Sequence, residues 1–366
     1  MNSWKFIFIL HNLSIDAPFE NKFVAIAPKT DERVAGLTNR NKTLKNLVNK
    51  FTDQFKRPVD PAVLIVRNDA PLSVLDNDAL VAFRNIFAIS SIMESWVTFL
   101  NRGWQIETPN YSNYFDIYPI SPDKDYKYLI TRSPSIHGLD ESKTFIGQTS
   151  PELATVRSKV DHDSKIINEL LERWNKRYVK CKTKDWNTRV LFRSLEMAYQ
   201  ACSIPFKNNS TIYDYGSNIS LWVSAFEVLV HPKNGRADLT RVLNLLDKIE
   251  FLSAALNRKT YRIPFPGKKG KRKGVKLPQK LYYQIYSARN GFLHGNPVKL
   301  KDLFPFGITS RYPLTLYAPL LYKVALKCFL NIVENVSDLN GFSKDQFIKF
   351  RNLEQGILSA LDDAKN

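Results

Sequence analysis

The amino-acid sequence predicts an α+β domain followed by an all-α helical bundle, and two patterns carry the prediction. Short β-branched and aromatic runs separated by Asn, Asp, Pro and Gly clusters fill the first 150 residues or so. From about residue 150 onward, apolar residues recur at helical spacing and the strand signals stop. A length of 366 residues favours two cores over one, and 44% hydrophobic with 12% aromatic residues is too rich for a disordered chain.

In the first region the runs KFIFIL (5–10), FVAIAP (23–28), AVLIVR (62–67), FDIYPI (115–120) and YLITR (128–132) read as strands. Between them, 78–101 carries Leu80, Phe83, Ile86, Phe87 and Met93 at helical spacing. No nucleotide-binding glycine loop accompanies these elements. Later helices are predicted over 151–178, 187–203, 219–231, 236–257, 278–294, 313–336 and 343–361, with Pro205, Pro232 and Gly295 as stops. The chain therefore divides into a mixed α+β domain over 1–150, a connecting helix over 151–186 and a helical bundle over 187–366.

Charge narrows the partners. The formal net charge is +18, a field that attracts polyanions, and nucleic acid is the first candidate. No uninterrupted apolar stretch reaches the roughly 18 residues of a spanning helix, so no membrane is expected. The opening MNSWKFIFILHNLSID lacks a cleavage pattern and reads as a strand, not a signal peptide. Cys181, Cys202 and Cys328 are scattered, against both a disulfide framework and a CxxC metal site, so the expected compartment is cytoplasmic.

The segment 258–280 is dense in Lys and Arg with Gly and Pro breakers and is predicted to be a mobile basic loop within the bundle. Around it, no acidic residue occurs between Glu250 and Asp302, where about five would be expected by composition.

Inside that window stands SARNGFLHGNP (287–297), with an arginine and a histidine separated by four residues. The same spacing occurs at Arg132/His137 and Arg157/His162, so physical setting must discriminate. Pro134 interrupts the first pair, and no helix holds its side chains in a fixed relation. In the second, Asp161 and Asp163 flank His162, repel a phosphate and favour the imidazolium, as on a solvated helix face. In the third, Pro278 suits a first helical turn, Leu281, Ile285, Ala288 and Phe292 form one apolar stripe, and Asn290 and His294 are i, i+4 neighbours. Arg289 lies about 7.5 Å from His294 along the helix axis. Gly295 suits the helix end, and Gly291 and Gly295 would let a ligand approach the backbone.

These residue types fit metal-free RNA cleavage. Histidine exchanges protons near neutral pH, arginine offers a charged planar fork to phosphate oxygens, and asparagine can bind phosphate or fix the imidazole tautomer. The ribose 2′-hydroxyl would serve as nucleophile, so DNA would be bound but not cut. Catalytic candidates are therefore Arg289, Asn290 and His294. Glu227, in the apolar run LWVSAFEVLV, either orients Arg289 or His294 from a neighbouring helix, or pairs with a structural lysine, or reaches solvent. Lys268, Lys269, Lys271, Arg272 and Lys273 are candidate RNA contacts. Tyr282, Tyr283 and Tyr286 either stack bases or belong to the core. His11 and His231 read as structural, and no metal or cofactor is expected.

The motif ARNGFLHG late in a helical series resembles the R-N-x-x-x-H signature of the HEPN superfamily of metal-independent ribonucleases. RSLEMAYQAC (193–202), ISLWVSAFEVLV (219–230) and DLTRVLNLLDKI (238–249) are similar to the front helices of its Apea-like branch, and the likeness covers roughly 187–337. The resemblance implies a HEPN-like bundle acting as a homodimer, with Arg289, Asn290 and His294 of each copy in one composite site. It also implies 2′,3′-cyclic phosphate ends, a toxin or antiphage role, and an N-terminal sensor domain answering to an unidentified trigger or inhibitor. The tyrosine that follows the histidine in some toxin relatives is replaced by Gly295, Asn296 and Pro297. A non-catalytic RNA- or nucleotide-binding sensor is the alternative from the same residues.

Overall fold

Strands β1 (Trp4–Leu10), β2 (Phe19–Glu20), β3 (Val24–Pro28) and β4 (Ala62–Arg67) form one antiparallel sheet in the order β1-β4-β3-β2. A computed structural model describes residues 3–52, 55–102, 114–131, 161–181, 185–204, 210–264, 270–307, 310, 312–332 and 343–362. The register places Ile65 opposite Phe6 and Ala25, and Val63 opposite Ile9 and Ala27. A shift between Phe6 and Phe8 brings both Phe6 and Ile9 into one cluster, although three positions separate them. Val34, Leu44, Leu47 and Val48, from α1 (Glu32–Arg40) and α2 (Lys42–Val48), complete that cluster. The sequence reading did not anticipate these two helices. Each is too short for a periodic signal and is started by a side-chain cap, Asp31 to Arg33 N and Asn41 to Leu44 N.

Helix α3 (Asn77–Arg102) runs close to the predicted 78–101. Its Phe83 and Phe87 meet Phe19 at ring-centroid distances of 5.0 and 4.7 Å. Residues 77–101 are long and apolar enough to cross a membrane by length and composition, but 83% of their 18-residue apolar window is buried within the protein. A short hairpin of β5 (Ile120–Pro122) and β6 (Leu129–Thr131) follows; β6 lies inside the run predicted at 128–132, whereas β5 shares only Ile120 with the strand predicted at 115–120. Helix α4 (Ser164–Trp174) lies inside the predicted 151–178, and 151–160 falls outside the described residues.

Two compact units result. One spans 1–88, 110–160 and 174–181, the other 89–109, 161–173 and 182–366. The division therefore interleaves along the chain, whereas the sequence reading placed a single cut in the 151–186 linker.

The second unit is mainly helical: α5 (Trp186–Cys202), α6 (Ile212–Leu229), α7 (Leu239–Asp247), α8 (Ala254–Asn257), α9 (Leu277–Leu293), α10 (Leu314–Phe329) and α11 (Lys344–Asp362). Helix α6 starts seven positions before the predicted 219, because Asp214 and Thr211 form a capping box. The helix predicted over 236–257 is two. Lys276 Nζ donates to the Asp247 and Ile249 carbonyls at 2.8 and 3.0 Å, satisfying the end of α7. The Glu354 carboxylate accepts the N–H groups of Leu252 and Ser253.

The basic segment 258–280 is not simply a loop. Strands β7 (Tyr261–Pro264) and β8 (Arg272–Val275) pair antiparallel within it, and 265–269 lie outside the described residues. Ile263 and Val275 are fully buried while Arg262 and Arg272 face outward. Two buried apolar side chains within a run of lysines are too weak a signal to read locally, but the packed unit supplies the surface that buries them.

A buried charge cluster lies in the same unit. Lys323 on α10 pairs with Glu94 on α3 and, at 3.2 Å, with Asp163, which also takes Lys327 at 3.3 Å. All four side chains are at most 6% exposed. This corrects the reading of a solvated acidic face at Asp163, whereas Asp161 is exposed and pairs with Lys349 at 2.8 Å. Burial, followed by Lys349, lowers the His162 pKa despite its acidic neighbours. The Arg132/His137 pair and Arg157 fall outside the described residues.

Candidate active site

Helix α9 presents the motif, and its ends follow from local chemistry. Lys276 N–H donates to Gln279 Oε1 at 2.9 Å, and Pro278 sits in the first turn. At the other end Asn296 N–H bonds Gly291 O at 2.9 Å and Gly295 N–H bonds Phe292 O at 3.3 Å. With Gly295 at φ +66, this is a Schellman stop whose capping residue is His294. The motif histidine therefore stands where the helix ends, and it is exposed.

Three of the four residues of the predicted stripe are buried: Leu281 and Ile285 are fully enclosed and Ala288 is 5% exposed, while Phe292 is half-buried. Phe292 packs on α6, where a Cβ added to Gly216 would lie 2.6 Å from its ring. Gly291 does not hold space for a ligand as expected. An added Cβ there would fall 2.7 Å from Val298 Cγ2, so the glycine admits the chain's own return loop.

Arg289 is held from two sides. Its Nη1 donates to Asn290 Oδ1 at 3.0 Å, and its Nη2 reaches Glu227 Oε2 on α6 at 3.4 Å. The guanidinium also lies 5.9 Å from the Tyr286 ring centroid. Arg289 and Glu227 are 22% and 20% exposed, neither sealed nor free. The separation exceeds the roughly 2.7–2.9 Å of a strong charge-assisted bond. Burial pushes the Glu227 carboxyl up, Arg289 pulls it partly back, and Asp238 adds to the rise. The carboxylate therefore orients the fork more than it neutralises it.

The fold thus gathers Arg289, Asn290 and Glu227, and sets His294 five positions beyond Arg289, about 7.5 Å along the axis and about 140° around it. Among the described residues, no side-chain hydrogen bond joins His294 to the other three. Tyr282 is core, fully buried against Phe226 at 4.7 Å, whereas Tyr283 and Tyr286 are half-buried. Lys271 and Arg272 are exposed and Lys273 half-buried, and Lys268 and Lys269 lie outside the described residues. The hairpin meets the loop that follows α9, where Tyr261 lies 6.1 Å from Phe306, and within α9 Lys280 lies 5.9 Å from the Tyr283 ring. At about 100° per residue, Tyr283, Gln284 and Ser287 are roughly opposite Arg289.

That other face lines a groove of about 470 Å³, closed by the return loop 297–307. The sequence reading missed it. The three aromatic residues that line it, Tyr283, Phe304 and Phe306, are more than twenty positions apart at the extremes, so no local pattern reveals them. No family model, curated protein or solved structure matches the chain.

Proposed function

We propose that the protein is a metal-independent RNA endonuclease of the HEPN type, with Arg289, Asn290 and His294 as its reacting constellation. The observation that carries the reading is the clamped guanidinium of Arg289, oriented by Asn290 and Glu227 on the helix that ends at an exposed histidine. His294 takes the proton of a ribose 2′-hydroxyl, the 2′-oxygen attacks the adjacent phosphorus, and the 5′-oxygen departs with a proton from a second acid. In a homodimer that acid is the other copy's histidine. Arg289 holds the phosphate oxygens as charge gathers on them, and its guanidinium stays protonated throughout. The products carry 2′,3′-cyclic phosphate and 5′-hydroxyl ends. The sheet-containing unit would receive the trigger for a cytoplasmic toxin or antiphage effector.

The test is incubation of full-length protein with labelled single-stranded RNA in EDTA, beside His294→Ala. Removing a general base lowers the rate by roughly 10²–10⁴-fold, so cleavage by wild type and not by the variant supports the reading. Binding of RNA by both proteins without cleavage, together with expression that arrests growth in neither case, would overturn it in favour of a binding module.

A further inference from the structure

The groove on the far face of α9 has the composition of a nucleotide site. Its volume of about 470 Å³ falls within the roughly 300–1,000 Å³ of small-molecule pockets. Half-buried Tyr283, Phe304 and Phe306 supply aromatic walls, on which an unpaired base can stack. Gln284 donates its amide N–H to the Pro305 carbonyl, which fixes the amide orientation. Its Oε1 is then left buried without a hydrogen-bond partner, an acceptor that a ligand donor would satisfy. Asp302, the other acceptor on the wall, has one carboxylate oxygen engaged by Lys299 N–H at 3.0 Å.

A cation stands on the same wall: exposed Lys301 lines the groove. The β7–β8 hairpin reaches the groove's Phe306 through Tyr261, with Arg262 and Arg272 on the opposite face of the hairpin. His294 follows Ser287, on the groove wall, by seven residues, which is two turns along the same face of α9.

We infer that this groove binds one unpaired nucleotide whose base carries an exocyclic amino group, with its phosphate towards Lys301. Gln284 Oε1 and Asp302 accept from the amino group, a donor that uracil lacks. The inference rests on the reading of α9 as an RNA-handling helix but not on cleavage. The nucleotide belongs either to a strand leading to His294 or to a free mononucleotide.

The experiment measures fluorescence anisotropy in EDTA, using full-length His294→Ala protein and labelled 12-nucleotide strands of oligoadenylate, oligouridylate and an abasic backbone. Oligoadenylate should bind about 10-fold more tightly than either other strand. Ser287→Trp, at an exposed position, fills the groove and should reduce oligoadenylate to the abasic level while leaving the abasic strand unchanged. Lys301→Ser, also exposed, is the second variant and should weaken all three strands and shrink the salt dependence. Displacement by millimolar adenosine monophosphate assigns a free nucleotide, and its failure assigns a strand. Equal affinity for the three strands, or a folded Ser287→Trp protein that binds oligoadenylate as before, would overturn the assignment. Tight oligoadenylate binding without cleavage by wild type defeats the nuclease proposal alone. Cleavage with no effect of Ser287→Trp defeats the groove alone.

Discussion

Replacing Lys323 with methionine removes one charge from a buried cluster and leaves the Glu94 carboxylate, 4% exposed, without its ammonium partner. Asp163 keeps Lys327 at 3.3 Å, so the uncompensated charge is confined to Glu94. Breaking a buried pair in this way costs about 3–5 kcal/mol, because the remaining ion stays desolvated. At roughly 2–4 °C per kcal/mol for a unit of this size, the helical transition should fall by about 6–20 °C. The double variant Lys323→Met/Glu94→Leu removes both charges and fills similar volume with apolar groups, which is often neutral or stabilising. It should therefore be more stable than Lys323→Met by at least about 2 kcal/mol, a coupling well outside additive behaviour. Urea unfolding at neutral pH, followed by helical circular dichroism, measures all three chains. Additive losses, or a single-variant loss under about 1 kcal/mol, would refute a cluster held by mutual charge compensation.

The same cluster sets an acid limit. Burial raises the Asp163 carboxyl, but Lys323 and Lys327 outweigh it and hold the group well below the usual range. A depressed carboxyl contributes stability that is complete above its unfolded pKa of about 3.9 and is lost as pH falls towards the folded value. Asp163→Asn should flatten the decline in stability below about pH 4, read by melting temperature against pH. Glu227→Gln has the opposite sign, because a carboxyl raised above its ordinary 4.5 destabilises the fold as pH climbs through the raised value. The variant should match or exceed wild-type stability at pH 7 while cutting RNA more slowly, since the amide holds Arg289 without charge. In Gly216→Ala the added methyl meets the Phe292 ring, at a cost of about 1–3 kcal/mol, and the roughly 1 kcal/mol alanine gains in a helix leaves a net loss of up to about 2 kcal/mol in thermal melts.

What could be read from the chain was what short-range chemistry decides. Pro278 and Gly295 bounded α9 because a helix start and a left-handed stop use hydrogen bonds within a few residues. The Leu281, Ile285 and Ala288 stripe followed from period alone. The mixed layout of strands first and helices afterwards was equally legible. Glu227 stood out because an apolar helix rarely carries a carboxylate, though only the packing of α6 on α9 chose Arg289 as its neighbour.

Tertiary structure alone decided the rest. The Glu94, Asp163, Lys323 and Lys327 cluster draws on residues more than 200 positions apart in sequence, and each looks like an ordinary surface charge until its partners arrive. The basic segment became a hairpin because Ile263 and Val275 found a surface that buries them. Its Tyr261 then met Phe306, on the wall of a groove on the opposite side of α9 from Arg289. Local sequence specifies torsions and caps, whereas the partner of a buried charge or an aromatic wall is chosen by the whole chain when it excludes water.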